Sequence, residues 1–367
     1  MAQWNRVPLI DYIELIGGGT PKTTVPEYWN GNIPWLSVKD FNNDKRYVYS
    51  TEKHISQSGF ENSPTKMLHK DDIIISARGT VGEIAMIPFD MAFNQSCYGI
   101  RASRGIDKPF LYYLLKNCIS QLKRMTHGSV FDTITRDTFA NIEVDIPDVE
   151  TQKRISSVLA DIDNKIEVNE AINDNLQQQA QAIYSSMFID NPDPAWSHGH
   201  LSDLITVKYG KDHKKLADGI YPVYGSGGIM RYVERPLYNK ESVLIPRKGT
   251  LNNVMYVNQP FWSVDTMFYT EMKLPNVAKF VYHFVKAKDL ASMNAGSAVP
   301  SMTTDILNAM EVVIPSASAL EEFESLVAPM YEAMEANDVQ SKALSQMRDT
   351  LLPKLMSGEI DVSAVQL

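Results

Sequence analysis

The sequence predicts an α+β fold in which two mixed, β-rich blocks stand in tandem and two long antiparallel helices separate and join them as a coiled coil. An internal repeat and a heptad pattern predict it. Residues 128–147 (GSVFDTITRDTFANIEVDIP) align without gaps on residues 296–315 (GSAVPSMTTDILNAMEVVIP), with eight identities. After each copy, apolar side chains recur at steps of four and three residues. The chain therefore divides into 1–148, 149–190, 191–316 and 317–367, related by a pseudo-two-fold repeat.

The two β-rich blocks share further anchors. Five residues of the first block match five of the second at a shift of 192: Trp4, Leu9, Asp11, Ile13 and Gly18 match Trp196, Leu201, Asp203, Ile205 and Gly210. The run IIISARGTVG (73–82) resembles VLIPRKGTLN (243–252), each a β-rich stretch before a basic residue and a Gly-Thr turn. The shifts differ, so the first block carries about two dozen extra residues.

The heptad positions define one apolar seam per helix. In the first helix they are Ile155, Leu159, Ile162, Ile166, Asn169, Asn173, Leu176, Ala180, Ile183 and Met187. In the second they are Phe323, Val327, Met330, Met334, Asn337, Ser341, Leu344, Arg348, Leu351 and Leu355. Arg348 is the one charged side chain in either seam.

The seams predict how the two helices pair. A seam of this length exceeds what one small block needs, although each helix packing only on its own block is the simpler alternative. Antiparallel pairing sets Asn169 beside Ser341 and Asn173 beside Asn337, polar pairs that would fix the register. Ser318 with Glu321 predicts a capping box at the start of the second helix, and Pro353 a kink or end near its C-terminus.

Charge is distributed unevenly. The net charge is -9, yet residues 149–190 and 317–367 together hold 6 basic and 16 acidic side chains, which leaves the two β-rich blocks near neutral. A surface that contacts phosphates on these blocks is therefore possible. No run of apolar residues is long enough to span a membrane, and acidic residues interrupt the N-terminal stretch, so we expect a cytoplasmic protein.

The motifs of common enzymes are absent. There is no P-loop, HExxH, nucleophile elbow or dinucleotide fingerprint, and Asn191-Pro192-Asp193-Pro194 lacks the form of an adenine-methyltransferase motif. We expect no catalytic site and no bound metal, since His198 and His200 suit solvated loops. Cys97 and Cys118 are too few for a disulfide framework and are expected to be buried or incidental thiols.

Both blocks do offer polar, aromatic and basic side chains on turns, the mixture that reaches base edges and phosphates. In the first block these candidates are Thr20, Lys22, Trp35, Ser37, Lys39, Arg78, Thr80, Asn94 and Gln95. In the second they are Lys208, Lys211, Tyr224, Ser226, Arg247, Lys248, Thr250 and Asp265. Each is equally compatible with an ordinary turn or capping role.

Four segments resemble the specificity subunits of Type I restriction-modification systems. GGGTPKTTVPEYWNGNIPWLSVKDF (17–41) is similar to the opening of a target-recognition domain in that family. YPVYGSGGI (221–229) with RKGTLNNVMYVNQPFWSVDTMFY (247–269) resembles the other common form of the domain, and LLPKLMSGEI (351–360) the end of the second spacer helix. The resemblance covers essentially the whole chain in the family's order.

The resemblance implies a non-catalytic DNA-binding subunit. Each recognition domain would read one half of a gapped double-stranded DNA site, and the helices would set the gap. Two modification subunits holding S-adenosylmethionine would dock along the helices, motor-nuclease subunits using ATP would join them, and this chain itself would bind no cofactor. The alternative is a coiled-coil adaptor whose end domains bind proteins.

Overall fold

The computed structural model describes residues 4–103, 105–126, 133–293 and 301–365. Its contacts divide the chain into two units: unit 1 comprises Met1–Ala171 and Asn337–Leu367, and unit 2 comprises Ile172–Ala336. Each unit thus holds one β-rich block and a part of both long helices. The repeated segments 128–132 and 296–300 lie outside the described residues.

Unit 1 combines small antiparallel and mixed sheets with four helices. Its strands are β1 (Asn5–Pro8), β2 (Ile13–Gly17), β3 (Trp29–Leu36), β4 (Lys53–Ile55), β5 (Met67–Leu68), β6 (Ile73–Ser76), β7 (Ile84–Met86), β8 (Met91–Phe93), β9 (Cys97–Ala102) and β10 (Glu143–Ile146). Its helices are α1 (Val38–Phe41), α2 (Gln57–Glu61), α3 (Lys108–Thr126) and α4 (Arg136–Ala140), and the long helix α5 (Val149–Ser185) begins here. The strand orders are β2-β9-β6-β7, β4-β3-β8-β5 and β1-β10.

Unit 2 repeats this arrangement. A π-helical turn, Ser186–Asp190, ends α5. The strands that follow are β11 (Ser197–His200), β12 (Ile205–Tyr209), β13 (Asp218–Gly225), β14 (Gly228–Val233), β15 (Ser242–Pro246), β16 (Met255–Val257), β17 (Trp262–Ser263), β18 (Met267–Met272) and β19 (Glu311–Ile314). The helices are α6 (Leu201–Leu204), α7 (Ala278–Lys286), α8 (Thr304–Asn308) and the long α9 (Ala317–Met356). The strand orders are β12-β18-β15-β16, β14-β13-β17 and β11-β19.

The sheet topology shows the duplication directly. Ser76 pairs with Cys97 across β6 and β9, and Pro246 pairs with Met267 across β15 and β18, so both ladders have the same register. Both units also pair one strand in parallel, β3 with β8 and β13 with β17. The extra length of the first block lies mainly between β3 and β6, in residues 37–72, which hold α1, α2 and two edge strands.

Short apolar runs form the buried strands of each unit. Every residue of β6 (IIIS) and of β15 (SVLIP) is buried, as expected for strands covered on both faces. In unit 1 the apolar face of α3 packs on this sheet, and Ile155 of α5 and Leu355 of α9 complete the same core. In unit 2, Tyr184 of α5 and Phe323 of α9 join the core built around α7. Each long helix therefore buries apolar side chains in both units.

The heptad seam predicted for α5 and α9 follows the buried side of both helices. All twenty predicted seam positions are buried or half-buried. Outside the seam, Val168 and Val339 are exposed, whereas Tyr184, Leu320 and Leu352 are buried in the cores of their own units. Burial of the seam itself fits a period of 3.5 residues, and the other buried positions are those where a helix packs on a β-rich block.

Within unit 1 the two helices run antiparallel and polar groups join them. The Asn169 side chain is fully buried, and its Nδ2 donates to Gln340 Oε1 at 2.9 Å and to Ser341 Oγ at 3.1 Å. This is the pair that the antiparallel alignment predicts. Arg348 Nη1 donates to Asp163 Oδ1 at 2.9 Å about two turns further along.

Within unit 2 a buried histidine connects α7 to both helices. His283 lies 2.7 Å from Gln181 Oε1 of α5 through Nδ1 and 2.9 Å from the Tyr331 hydroxyl of α9 through Nε2. Burial, with the nearby charge of Lys286, lowers the pKa of His283 to about 4. The ring is therefore neutral at pH 7, with Nδ1 donating and Nε2 accepting.

The start of α9 differs from the prediction. The helix begins at Ala317, so Ser318 lies in its first turn and no capping box forms with Glu321. Instead, Ser316 Oγ accepts the N–H of Ala319 at 3.3 Å. Ser316 follows Pro315, whose fixed φ favours an extended approach to a cap at the next residue. Pro353 lies inside the last turn of α9, which ends three residues later at Met356.

Both cysteines are buried. Burial raises the pKa of Cys97 to about 12 and of Cys118 to about 11, so both thiols are unreactive at neutral pH.

Among the residues that the structure describes, no helix is long and apolar enough to cross a membrane. Over the same residues, no cluster of three or more His, Cys, Asp or Glu side chains is arranged to hold a metal ion.

Candidate nucleic-acid interface

In unit 1, three loops and the start of α1 meet at one edge of the paired sheets, which we call edge 1: residues 18–22, 37–39, 77–82 and 94–96. They meet because β2, β3 and β6 end there and β9 begins there. Backbone hydrogen bonds join them: the N–H of Gly19 donates to Phe93 O at 2.9 Å, and that of Asn94 to Leu36 O at 3.0 Å. Edge 1 is thus a set of turns held by the ends of rigid strands.

Edge 1 collects most of the first-block candidates. The Thr20 hydroxyl donates to Gln95 Oε1, which joins two of the loops. Arg78, Thr80 and Gln95 are exposed, whereas Asn94 is half-buried with its Oδ1 accepting the N–H of Ser96 at 3.0 Å. Lys22 and Lys39 are also exposed on edge 1, Lys39 in the first turn of α1. Basic, amide and hydroxyl groups, those that contact phosphates and base edges, therefore face solvent together.

Unit 2 has the equivalent edge, edge 2, formed by residues 210–212, 226–227, 247–250 and 264–266. The N–H of Lys211 donates to Ser263 O at 2.8 Å, and that of Val264 to Tyr224 O at 3.1 Å. The side-chain amide of Asn253 donates to Ser226 O at 2.8 Å and fixes the β13–β14 turn to the loop after β15. Lys211, Lys248, Thr250 and Asp265 are exposed along this edge.

The two edges have the same backbone construction. Ser96 O accepts the N–H of Ala77 and of Arg78, and Thr266 O accepts the N–H of Arg247 and of Lys248, at 2.8 and 3.2 Å in both units. Arg78 and Lys248 are therefore structural equivalents.

A glycine pair repeats the same correspondence. A Cβ on Gly18 would stand 2.0 Å from Asn94 O, and a Cβ on Gly210 would stand 2.0 Å from Val264 O. Only glycine allows this approach of two loops, which explains the matched glycines of the repeat.

Arg247 is held in position at edge 2. Its guanidinium lies 5.4 Å from the Tyr209 ring centroid, and its Nη1 donates to Asp265 O at 3.1 Å. A fixed guanidinium loses little conformational entropy when it binds, so Arg247 suits recognition of a base edge or a phosphate. Lys208 instead pairs with Glu271 across the sheet at 3.6 Å.

Three predicted residues take supporting positions. The buried Trp35 indole donates to Gly19 O at 3.1 Å and holds the loop that bears Thr20. The buried Tyr224 hydroxyl accepts from Gln259 Nε2 at 3.2 Å. Ser37 is the N-cap of α1, bonded to Asp40 Oδ2 at 2.9 Å. In this conformation the two rings offer no free face, because each is covered by its own unit.

Sequence reasoning did not select Lys214 and Lys215. Both are exposed in the loop that follows edge residue Lys211. The run KDHKK (211–215) carries the signal, since closely spaced lysines on a loop are typical of phosphate-contacting surfaces.

The fold and its edges define a class of protein: two copies of one mixed sheet unit, each with a loop edge of this construction and each sharing two long helices with the other copy. The family model described as "Type I restriction modification DNA specificity domain" matches residues 1–178 and 195–323. The chain belongs to this family.

Similar proteins carry the same description. The chain is 26% identical to the MjaIX specificity subunit, a Type I restriction enzyme subunit of Methanocaldococcus jannaschii, over 98% of this chain and 94% of that protein. It is 23% identical to the EcoprrI specificity subunit of Escherichia coli, over 89% of each chain. The crystal structure of a Type I restriction-modification S subunit from M. genitalium has a TM-score of 0.60 and 17% identity, covering 96% of each chain, and so shares the fold.

Proposed function

We propose that this chain is the DNA-specificity subunit of a Type I restriction-modification complex. Edge 1 reads one half of a bipartite DNA site, and edge 2 reads the other half. The observation that carries the proposal is the duplication itself: two edges of identical backbone construction present different side chains. Arg78 stands where unit 2 has Lys248, and Asn94 and Gln95 stand where it has Val264 and Asp265. Two edges with the same backbone but different side chains are suited to recognise two different half-sites.

The helices are proposed to set the gap between the half-sites. At a rise of about 1.5 Å per residue, the 37 residues of α5 extend about 56 Å. The buried Asn169, bonded to Ser341, supports a fixed helix register, because any slip would leave a buried amide without partners. A fixed register is what a spacer of defined length needs.

The exposed faces of the helices are proposed to bind the modification subunits. The helical segments carry all of the chain's net negative charge, which favours protein partners over DNA phosphates there. In this proposal the chain performs no catalysis and works in the cytoplasm. Two modification subunits contribute S-adenosylmethionine and the adenine-methylating site, and motor-nuclease subunits contribute ATP hydrolysis.

Methylation of the host genome tests the proposal. Methylated adenines are mapped in the source strain with this gene intact, deleted and restored from a plasmid. We expect one gapped, two-part motif to lose methylation on deletion and to regain it on restoration. If the modification genes are expressed and no motif changes, the chain does not direct modification.

The alternative function is a coiled-coil adaptor whose end units bind proteins. It predicts association that is insensitive to salt and no footprint on DNA, whereas phosphate contacts make DNA affinity fall steeply with salt. The exposed lysines at edge 2 favour the DNA function.

A further inference from the structure

The β13–β14 hairpin of unit 2 carries two exposed apolar side chains near its tip. Ile229 is 48% exposed and Met230 is 61% exposed. Burial stabilises large apolar side chains, so two neighbouring ones left in water beside a candidate binding edge indicate a contact surface.

A β-bulge sets the direction of Met230. Tyr224 pairs with Ile229 and Val223 pairs with Arg231, which leaves Met230 as the extra residue of β14. A bulge turns the side chain of the extra residue away from the regular alternation of the strand. The Met230 sulfur lies 2.6 Å from where a Cβ on Gly225 would stand, so the side chain crosses the backbone at the hairpin tip.

The hairpin tip is part of edge 2. Its turn is two residues long, with Gly225 paired to Gly228, and Gly228 has a φ of +112°. Ser226 Oγ lies 2.6 Å from where a Cβ on Gly249 would stand, and Ser226 O accepts from Asn253. The tip is thus fixed against the loop that exposes Lys248 and Thr250.

DNA is the occupant that this geometry favours. A two-stranded β-ribbon fits the major groove, about 12 Å wide, and exceeds the minor groove, about 6 Å wide. Two apolar side chains cover too small an area for a stable protein interface, since a whole interface buries about 800 Å² per partner. Exposed lysines beside the tip complement the phosphates on either side of a groove.

The apolar groups that the major groove presents are the C5-methyl groups of thymine. We propose that the β13–β14 hairpin enters the major groove of the half-site bound by unit 2, and that Ile229 and Met230 contact thymine methyl groups there. This inference rests on the proposed function, because it names the base chemistry that edge 2 reads.

Deoxyuridine substitution tests the inference, since it removes only the methyl group of thymine. The full chain, in complex with the modification subunit of its host, binds fluorescent duplexes of the methylated motif. Each thymine of the unit 2 half-site is replaced in turn. We expect one or two positions to weaken binding about fourfold each, the factor that burial of one methyl-sized group gives. The double variant Ile229→Ala with Met230→Ala should lose this dependence.

Two matched variants serve as controls. Ile220→Ala removes an equally apolar side chain, 78% exposed, from the far end of β13 and should keep the thymine dependence. Met230→Leu preserves the apolar contact and should keep it as well.

The contradicting outcomes are distinct. Specific binding that is indifferent to every deoxyuridine, or a unit 2 half-site without thymine in either strand, overturns the inference and leaves the proposed function standing. A double variant whose complex keeps the thymine dependence overturns the inference too, and a double variant that no longer binds the modification subunit makes the hairpin a protein contact and overturns it as well. Absence of any sequence-specific binding by the complex would refute the proposed function together with the inference.

Discussion

Ion pairs explain why the helix seam accepts a charged side chain at Arg348. Its side chain is 4% exposed and forms ion pairs with Asp163 at 2.9 Å and with Asp44 at 2.8 Å. Burial opposes the charge, but the hydrogen bonds and charges of the two aspartates raise the pKa of Arg348 far above its usual value. The Tyr113 hydroxyl donates to the other oxygen of Asp163 at 2.6 Å. Arg348 therefore joins α9 to α5 and to the β-rich block of unit 1.

Arg348→Ala is expected to lower the free energy of unfolding by about 3–5 kcal/mol, because it leaves the Asp163 carboxylate buried without its cation. Arg348→Met combined with Asp163→Leu should recover most of that loss, since the buried charges leave together. Urea unfolding of the full chain measures both variants, and Arg154→Met, a half-buried surface arginine, is the control. A single variant as stable as the wild type would contradict the role of this ion pair.

The lowered pKa of His283 predicts that the stability of unit 2 depends on pH. Its pKa is lowered to about 4 in the folded chain from about 6.5 when unfolded, so the unfolded state binds more protons between these values. Stability from this group is therefore present above about pH 6.5 and is lost as the pH falls toward 4. Between pH 7.5 and pH 5 the loss is about 2 kcal/mol.

Hydrogen exchange of α7 measures this loss, since local opening exposes its amides. The wild type should lose protection at pH 5 after correction for intrinsic exchange. His283→Gln should be less stable at pH 7.5 but should lose little more at pH 5. Equal pH dependence in both proteins would show that other groups control the acid response.

At the scale of elements, periodicity predicted the helices well and the turns poorly. The steps of four and three residues require a helix whose one side is buried, and all seam positions lie on that side. The cap moved from Ser318 to Ser316 because several neighbouring serines satisfy the same local pattern. Trp35 and Tyr224 resembled free aromatic readers, but their burial depends on residues distant in sequence, which no local pattern encodes.

The proposed spacing role of α5 and α9 predicts the effect of an insertion. One heptad placed after Ala171 and one before Asn337 add about 10 Å to each helix, or about three base pairs. Methylome mapping of the variant should show the two half-sites unchanged and the gap longer by about three base pairs. Insertion of two residues in each helix breaks the heptad seam and should abolish modification. An unchanged gap in a modifying heptad variant would refute the spacing role.

At the scale of the whole molecule, the duplication was readable from twenty aligned residues, and both sheets repeat it in order and register. One of the two aspartate partners of Arg348 could not be predicted, because Asp44 lies 304 residues away and belongs to the inserted part of the first block. The candidate DNA-contacting residues were predicted from their residue types, whereas their convergence at one edge of each unit follows from the strand order. The recognised bases depend on residue type and on this convergence together, and no local sequence pattern encodes the second.

Modular recognition predicts the outcome of a domain exchange. Residues 1–148 are replaced by the corresponding block of another specificity subunit, and methylated motifs are mapped in the host. We expect one half of the motif to change and the other half to remain. A motif changed in both halves, or in neither, would contradict independent readout by the two units.

The division of the chain into two units also determines the order in which their cores can form during synthesis. Unit 2 is continuous in sequence, whereas unit 1 needs residues 337–365, which supply Leu352, Leu355 and Val362 to its core. The ribosome produces the first β-rich block before these residues exist. Unit 2 can therefore complete its core first, while the earlier block waits with uncovered apolar surface. Chaperone binding during translation should accordingly concentrate on the part of the chain that is made first and closes last.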